Sequence, residues 1–253
     1  MKEQTVQTLD RTLDIIELLA TSPQGMGVTE IGVQLQLHKS TVHRLINALA
    51  QRGYIEKDQK SGLYKIGLKF IEISSLHLHQ LELKTEAAPI MRRLAEMTGQ
   101  VTHLAILDET DVVYIEKVDV VQSLRLYSHI GRRIPVYCSA LGKVLLSGQS
   151  DSRQKQILQS INYQPYTENT IQDQETLLSE LQKTIQRGWA VDDEEHEAGI
   201  RCIAAPVRDF TQKVIAALSI SGDRNTLTAE QDEKFSVMVI EAADAISKRM
   251  GFI

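Results

Sequence analysis

Lys39, Ser40, Thr41, His43, Arg44 and Asn47 stand off an apolar stripe formed by Val42, Leu45, Ile46 and Leu49. That spacing predicts a helix with one face for a core and the rest for hydrogen bonding. The polar groups are of the kind that read nucleic acid. Ser, Thr and Asn bond bases or phosphates, and Arg takes guanine bidentately. Most lie near the helix start, the part of a recognition helix that reaches base edges. Free backbone N–H groups there favour a phosphate as well. Lys57, Lys60 and Lys65 follow shortly after, placed to approach the phosphates of the same duplex.

Other elements must hold these groups in place. Ile31 and Leu35 define a preceding helix that Thr29 could cap, and Leu37-His38-Lys39 supplies the turn between the two. Gly53 ends the second helix in a left-handed cap. Tyr54 to Lys57 and Leu63 to Ile66 read as strands joined by the turn Asp58-Gln59-Lys60-Ser61-Gly62. An earlier helix, Thr8 to Ser22, puts Leu9, Leu13, Ile16 and Ala20 on one face and stops at Ser22-Pro23-Gln24-Gly25. Together these elements form a winged helix-turn-helix over residues 1–68. Paired amphipathic helices occur in many helical domains, but a basic hairpin directly after them points to DNA.

Charge agrees. From Gln36 to Lys69 the bases are Lys39, Arg44, Arg52, Lys57, Lys60, Lys65 and Lys69, against only Glu56 and Asp58. The whole chain of 253 residues carries a net charge of −5. A small DNA reader attached to a larger body of another kind fits that contrast. No apolar run approaches the roughly 20 residues of a membrane span, and the acid-bearing start MKEQTVQTLDRTL does not read as a signal peptide. Two cysteines, Cys138 and Cys202, make no disulfide framework. A cytoplasmic protein with free thiols and no membrane partner is the expectation.

Residues 69–83 predict a connecting helix with apolar groups on more than one side, packing either on a second subunit or between the chain's own domains. Residues 84–253 change pattern. Helices are expected at Glu86 to Met97, Ser139 to Ser147, Asp151 to Ile161, Asp173 to Gly188 and Thr228 to Met250. Strands are expected at Val101 to Leu107, Val112 to Val118, Leu124 to Ser128, Trp189 to Val191, Cys202 to Arg208 and Val214 to Ser221. Hairpins adjacent in sequence with helices between them predict an α+β fold with an antiparallel sheet.

The motifs resemble one family over essentially the whole length, the IclR transcriptional regulators. KSTVHRLINALAQRGYIE is similar to its recognition helix and wing entry. LRLYSHIGRRIPVYCSALGKVLL and GWAVDDEEHEAGIRCIAAPVRD resemble the two signature stretches of its effector domain. Within the family, the second stretch and the ending KRMGFI look most like regulators that answer to the sugar acid 2-keto-3-deoxygluconate. The resemblance implies a GAF-like effector domain, homodimers or dimers of dimers, and operator binding altered by a small carboxylate or sugar acid. It also implies a pocket on Leu124, Leu126, Ile134, Ala140, Leu141, Asp192, Ile200, Cys202, Ser219 and Ser221. Leu141 is bulkier than the alanine of some members, which changes the pocket volume.

Local chemistry adds detail. Ser139 opens a helix whose N–H groups either hold a carboxylate or are capped by the serine itself. Ser219 and Ser221 alternate on one strand and face either a ligand or solvent. Asp192 follows a strand and could accept from a sugar hydroxyl, while Asp193, Glu194 and Glu195 read as a solvated charge run. Arg125, Arg132, Arg133 and Arg201 could neutralise an anion; for Arg132 and Arg133 salt bridges at domain or subunit contacts are the expectation. The competing readings are Cys–His catalysis by Cys138 or Cys202 with His103, His129 or His196, zinc binding by the same residues, and thiol redox sensing. No CxxC or HxxxH spacing frames them. The expectation is a regulator without catalytic residues, metal or cofactor.

Overall fold

The protein is seen in a computed structural model that describes residues 7–73, 82–119 and 128–252. It divides into two compact units, residues 1–80 and 81–253.

The first unit comprises α1 (Gln7–Ala20), α2 (Val28–Gln34), α3 (Lys39–Gln51), β1 (Ile55–Lys57) and β2 (Tyr64–Ile66). The strands pair antiparallel, with Ile55 opposite Ile66. The stripe Val42, Leu45, Ile46 and Leu49 is buried, joined by Ile15, Leu19, Met26, Ile31, Ile55 and Tyr64. Each such aliphatic side chain, fully buried, contributes about 1.5–3 kcal/mol.

Two expectations are corrected here. The buried line of α1 is Ile15 and Leu19, while Leu9 and Leu13 are 56% and 47% exposed and Ala20 is exposed. The phase of the helix is set by packing against α3 and β2, not by the longest apolar repeat. Thr29 does not cap α2. The N-cap is Gly27, in extended conformation, because Met26 is bridged to Tyr64 and delivers the chain extended to the helix start. The turn into α3 is tight: Leu37 N–H donates to Gly32 O at 2.8 Å. A side chain at position 32 would put its Cβ 2.9 Å from the Leu37 carbonyl, so glycine is required there.

Residues 69–73 are helical. The rest of the expected connecting helix, up to residue 81, lies outside the described residues.

The second unit comprises α4 (Glu82–Thr98), β3 (Val101–Asp108), β4 (Asp111–Val118), β5 (Arg133–Pro135), a 3-10 turn (Val136–Cys138), α5 (Ala140–Ser147), α6 (Asp151–Ser160), α7 (Gln174–Arg187), β6 (Ala190–Asp193), β7 (Ile200–Arg208), β8 (Val214–Asp223), a 3-10 turn (Ala229–Gln231) and α8 (Asp232–Arg249). The strands form one antiparallel sheet in the order β5-β4-β3-β8-β7-β6. The expected strand at Leu124 to Ser128 falls, apart from Ser128, outside the described residues. β5 is a further strand, too short for its alternation to register in the sequence.

The sheet is covered on both faces, and parity decides which side chain goes where. On β8, Ala216, Leu218 and Ile220 join Leu104, Ile203, Met91 and Val239 in the core beneath α4 and α8. Ala217 points the other way and joins Ala105, Ala204, Leu145 and Leu177 under α5 and α7. Gly142 allows α5 to settle on the preceding turn: a Cβ there would lie 2.1 Å from the Val136 carbonyl oxygen. Ser219 and Ser221 share the face of Ala217, so they lie under α5 and not in solvent.

Candidate functional site

The polar face of α3 is open. Lys39, Ser40, His43, Arg44 and Asn47 are exposed and Thr41 is half-buried at the first turn. Lys57 and Lys60 on the wing are exposed and Lys65 is half-buried. Among the described residues none of these cations enters a salt bridge within the chain. Lys57 Nζ lies 5.6 Å from the Tyr64 ring centroid, held over a strand side chain instead. The wing tip is preformed. Asp58 Oδ1 accepts from Lys60 N at 2.9 Å and Ser61 N at 2.8 Å, and from Ser61 Oγ at 3.0 Å. Those bonds, Ser61's backbone first, hold the Asp58 carboxyl below the usual carboxylate range. The turn therefore projects Lys60 without spending a lysine on its own carboxylate.

The second unit contains a cleft between α5 and the polar end of the sheet, with about 510 Å³ of atom-free space including its mouth. Ile134, Ala140, Leu141, Asp192, Ile200, Cys202, Ser219 and Ser221 line it. Leu124 and Leu126, with Arg125, lie outside the described residues. The sheet register explains the gathering: Ser219 is opposite His103 and Ala204, while Ser221 is opposite Cys202, which is opposite Asp192. Directly opposed residues share a face. The cleft also takes in His103, Tyr114, Ser128, Arg132, Ser139, His196 and Glu197.

From the sequence, His103 is offered only as a partner for a cysteine or as a zinc ligand. It is buried on β3, with Nε2 2.8 Å from Ser128 Oγ and Nδ1 3.3 Å from Ser221 Oγ. Its ring centroid lies 4.8 Å from that of Tyr114. Burial, aided by the charges of Lys117 and Arg132, pulls its pKa down to about 3. The imidazole is neutral and acts as a fixed hydrogen-bonding rail. Ser219 Oγ is buried in the same cleft and has no hydrogen-bond partner among the described residues. A buried hydroxyl left unpaired is costly, so a group entering the cleft gains by satisfying it.

Asp192 is buried, and its Oδ1 accepts from Glu195 N at 2.8 Å. Burial first, and then the charge of Glu195, push its carboxyl up to about 7, with Lys143 pulling the other way. The reading of Glu195 as part of a solvated run is corrected. It is buried, and its Oε1 lies 2.5 Å from the buried Lys143 Nζ of α5. Asp193 is exposed, and Glu194 pairs with Arg224.

The arginines divide. Arg133 pairs with Asp108 at 2.7 Å and Asp111 at 3.0 Å, so its salt bridges are made within its own sheet edge. Arg201 turns away from the cleft to Asp193 and Asp232. Arg132 lines the cleft and forms no ion pair among the described residues. At α5 the serine cap prevails: Ser139 Oγ accepts from Gly142 N at 3.1 Å. Burial, and then the Asp192 charge, hold both Cys138 and Cys202 well above the ordinary thiol range. That is the reverse of what a nucleophilic or redox-sensing thiolate requires.

Comparison with known proteins agrees with this division. Residues 8–59 match the IclR helix-turn-helix domain, and residues 75–248 match the bacterial transcriptional regulator IclR C-terminal domain. The chain is 37% identical to the HTH-type transcriptional regulator KdgR of Escherichia coli over 98% of its length and 94% of that protein's. It is 35% identical to the HTH-type transcriptional regulator XynR of the same organism, covering 98% of both. The crystal structure of the Thermotoga maritima IclR superposes with a TM-score of 0.85 at 31% identity, over 98% of this chain and 100% of that one. An exposed cationic recognition helix on one unit, a polar cleft on the other and family matches across both place the chain in the IclR family of bacterial transcriptional regulators.

Proposed function

We propose that the protein is a ligand-gated repressor of sugar-acid or related carboxylate catabolism, acting as a homodimer on double-stranded operator DNA. Residues 1–68 form the DNA reader, and the effector domain begins with α4 at Glu82. The observation that carries this reading is the exposed polar face of α3, whose cations form no ion pair among the described residues. A face that combines exposed cations with base-reading Ser, Thr and Asn side chains suits the anionic backbone and base edges of a duplex. In a dimer the two α3 helices enter successive major grooves, about 34 Å apart for a one-turn half-site spacing.

The effector enters the cleft of the second unit. The unpaired Ser219 hydroxyl, Asp192 and the neutral His103 suit a small molecule rich in hydroxyl and carbonyl groups. The subgroup resemblance names that molecule as 2-keto-3-deoxygluconate or a close analogue. Binding shifts DNA affinity only as far as the ligand distinguishes two arrangements of the dimer. The test is a thermal-shift screen of the full-length protein against sugar acids and keto acids, followed by operator binding with each hit. A specific ligand raises the melting temperature by mass action and lowers operator affinity. Stabilisation by no acid, or turnover of the acid by the protein, contradicts the reading.

A further inference from the structure

We infer that Arg132 receives the carboxylate of the effector, and so fixes which end of the ligand enters the cleft first. This inference rests on the effector-binding reading above and adds the ligand's charge and orientation to it.

The argument begins with adjacent arginines that do different things. Arg133 spends its guanidinium on Asp108 and Asp111. Arg132 leaves the same turn on the cleft side, half-buried and facing the cavity. Its backbone is tied down from both directions. Gly131 N donates to Tyr114 O at 2.8 Å, Tyr114 N donates to Arg132 O at 3.1 Å, and Arg132 N donates to His129 O at 3.1 Å. The backbone that carries the guanidinium is thus fastened to β4.

Among the described residues no carboxylate pairs with Arg132, neither Asp192 nor Glu197, the acids that line the cleft. Asp119, next along the chain, pairs with Lys117 at 3.0 Å. Residues 120–127 contain no acid at all. The charge of Arg132 acts on His103, Tyr114 and His196. A half-buried guanidinium beside uncharged rings has lost solvent without gaining a counter-ion, and an entering carboxylate restores one. The alternative anion site, the start of α5, already has one of its N–H groups taken by Ser139. Ser219 and the Asp192 carboxyl then face the hydroxyl or carbonyl end of the ligand.

The test titrates full-length wild-type, R132Q, R132K and R133Q proteins with 2-keto-3-deoxygluconate, D-gluconate and pyruvate by calorimetry. D-glucitol serves as an uncharged control. For the acids that bind wild type, R132Q is expected to weaken binding by about 10-fold to 100-fold. R132K, which keeps the charge without the fork, recovers part of the loss, and R133Q changes affinity less than about 3-fold. If R132Q does not fold, R132K against R133Q decides the matter on the same criterion. Equal affinity of wild type and both Arg132 variants, or an equal loss with glucitol, overturns the role of Arg132 alone. Failure of wild type to bind any acid overturns the effector reading and the inference together.

Discussion

Lys143 Nζ lies 2.5 Å from Glu195 Oε1, and both side chains are buried. The same ammonium donates to Val191 O at 2.7 Å. One lysine thus ties α5, which forms a wall of the cleft, to the strand and loop that carry Asp192. The pair lies behind the cleft residues and not among them.

Breaking this pair from one side leaves a buried charge without compensation. Lys143→Met is expected to cost about 3–5 kcal/mol in denaturant unfolding. Lys143→Met combined with Glu195→Leu should recover most of that loss, because two apolar groups replace a mutually neutralised pair. A double variant no more stable than the single one would remove the pair from this account.

Asp192 and His103 pull the pH dependence of stability in opposite directions. The Asp192 carboxyl is raised from 3.8 to about 7. Between those values the fold holds a proton that the unfolded chain has released, so stability falls as pH rises. His103 is lowered from 6.5 to about 3. Over that window the unfolded chain holds the extra proton, so stability rises with pH. The two slopes oppose each other in the wild type. Asp192→Asn should therefore gain on wild type as pH goes from 4 to 7, by on the order of 2–4 kcal/mol. His103→Asn should lose on wild type over nearly the same range. Urea unfolding at several pH values checks both signs, and parallel curves for all three proteins would contradict them.

The DNA face divides into residues that specify and residues that hold. Arg44→Ala is expected to erase the preference for operator over random duplex, whereas Lys60→Ala weakens both alike. The salt slope of Lys60→Ala should fall by about one. Gel shifts with competitor DNA across a salt series read both quantities. Identical losses from the two substitutions would mean that α3 does not read bases.

Much of this was legible because it is periodic and local. The four-residue stripe of α3 lies within one helix, and the alternation of Ser219 and Ser221 places both hydroxyls on one sheet face. What escaped was long-range. His103 meets Ser219 only through strand register, and Glu195 meets Lys143 across 52 positions. Written in the run DDEEH, Glu195 looks like its exposed neighbour Asp193, and nothing local distinguishes them. The α1 face was misjudged for a related reason. Leu9 and Leu13 make a plausible stripe with Ile16, and Ile16 does pack against the core, but α3 and β2 select Ile15 and Leu19 as the buried line. The roles of Arg132 and Arg133 were separable only once Asp108 and Asp111 were in place beside β5.

The most direct measurement is fluorescence anisotropy of the full-length protein on a genomic operator fragment, titrated with 2-keto-3-deoxygluconate at fixed salt. The account predicts a clear preference for that fragment over random duplex without ligand, and at least about a tenfold loss of affinity at saturation, the coupling typical of a gated binder. Affinity for the fragment no greater than for random DNA, with or without the acid, would contradict it.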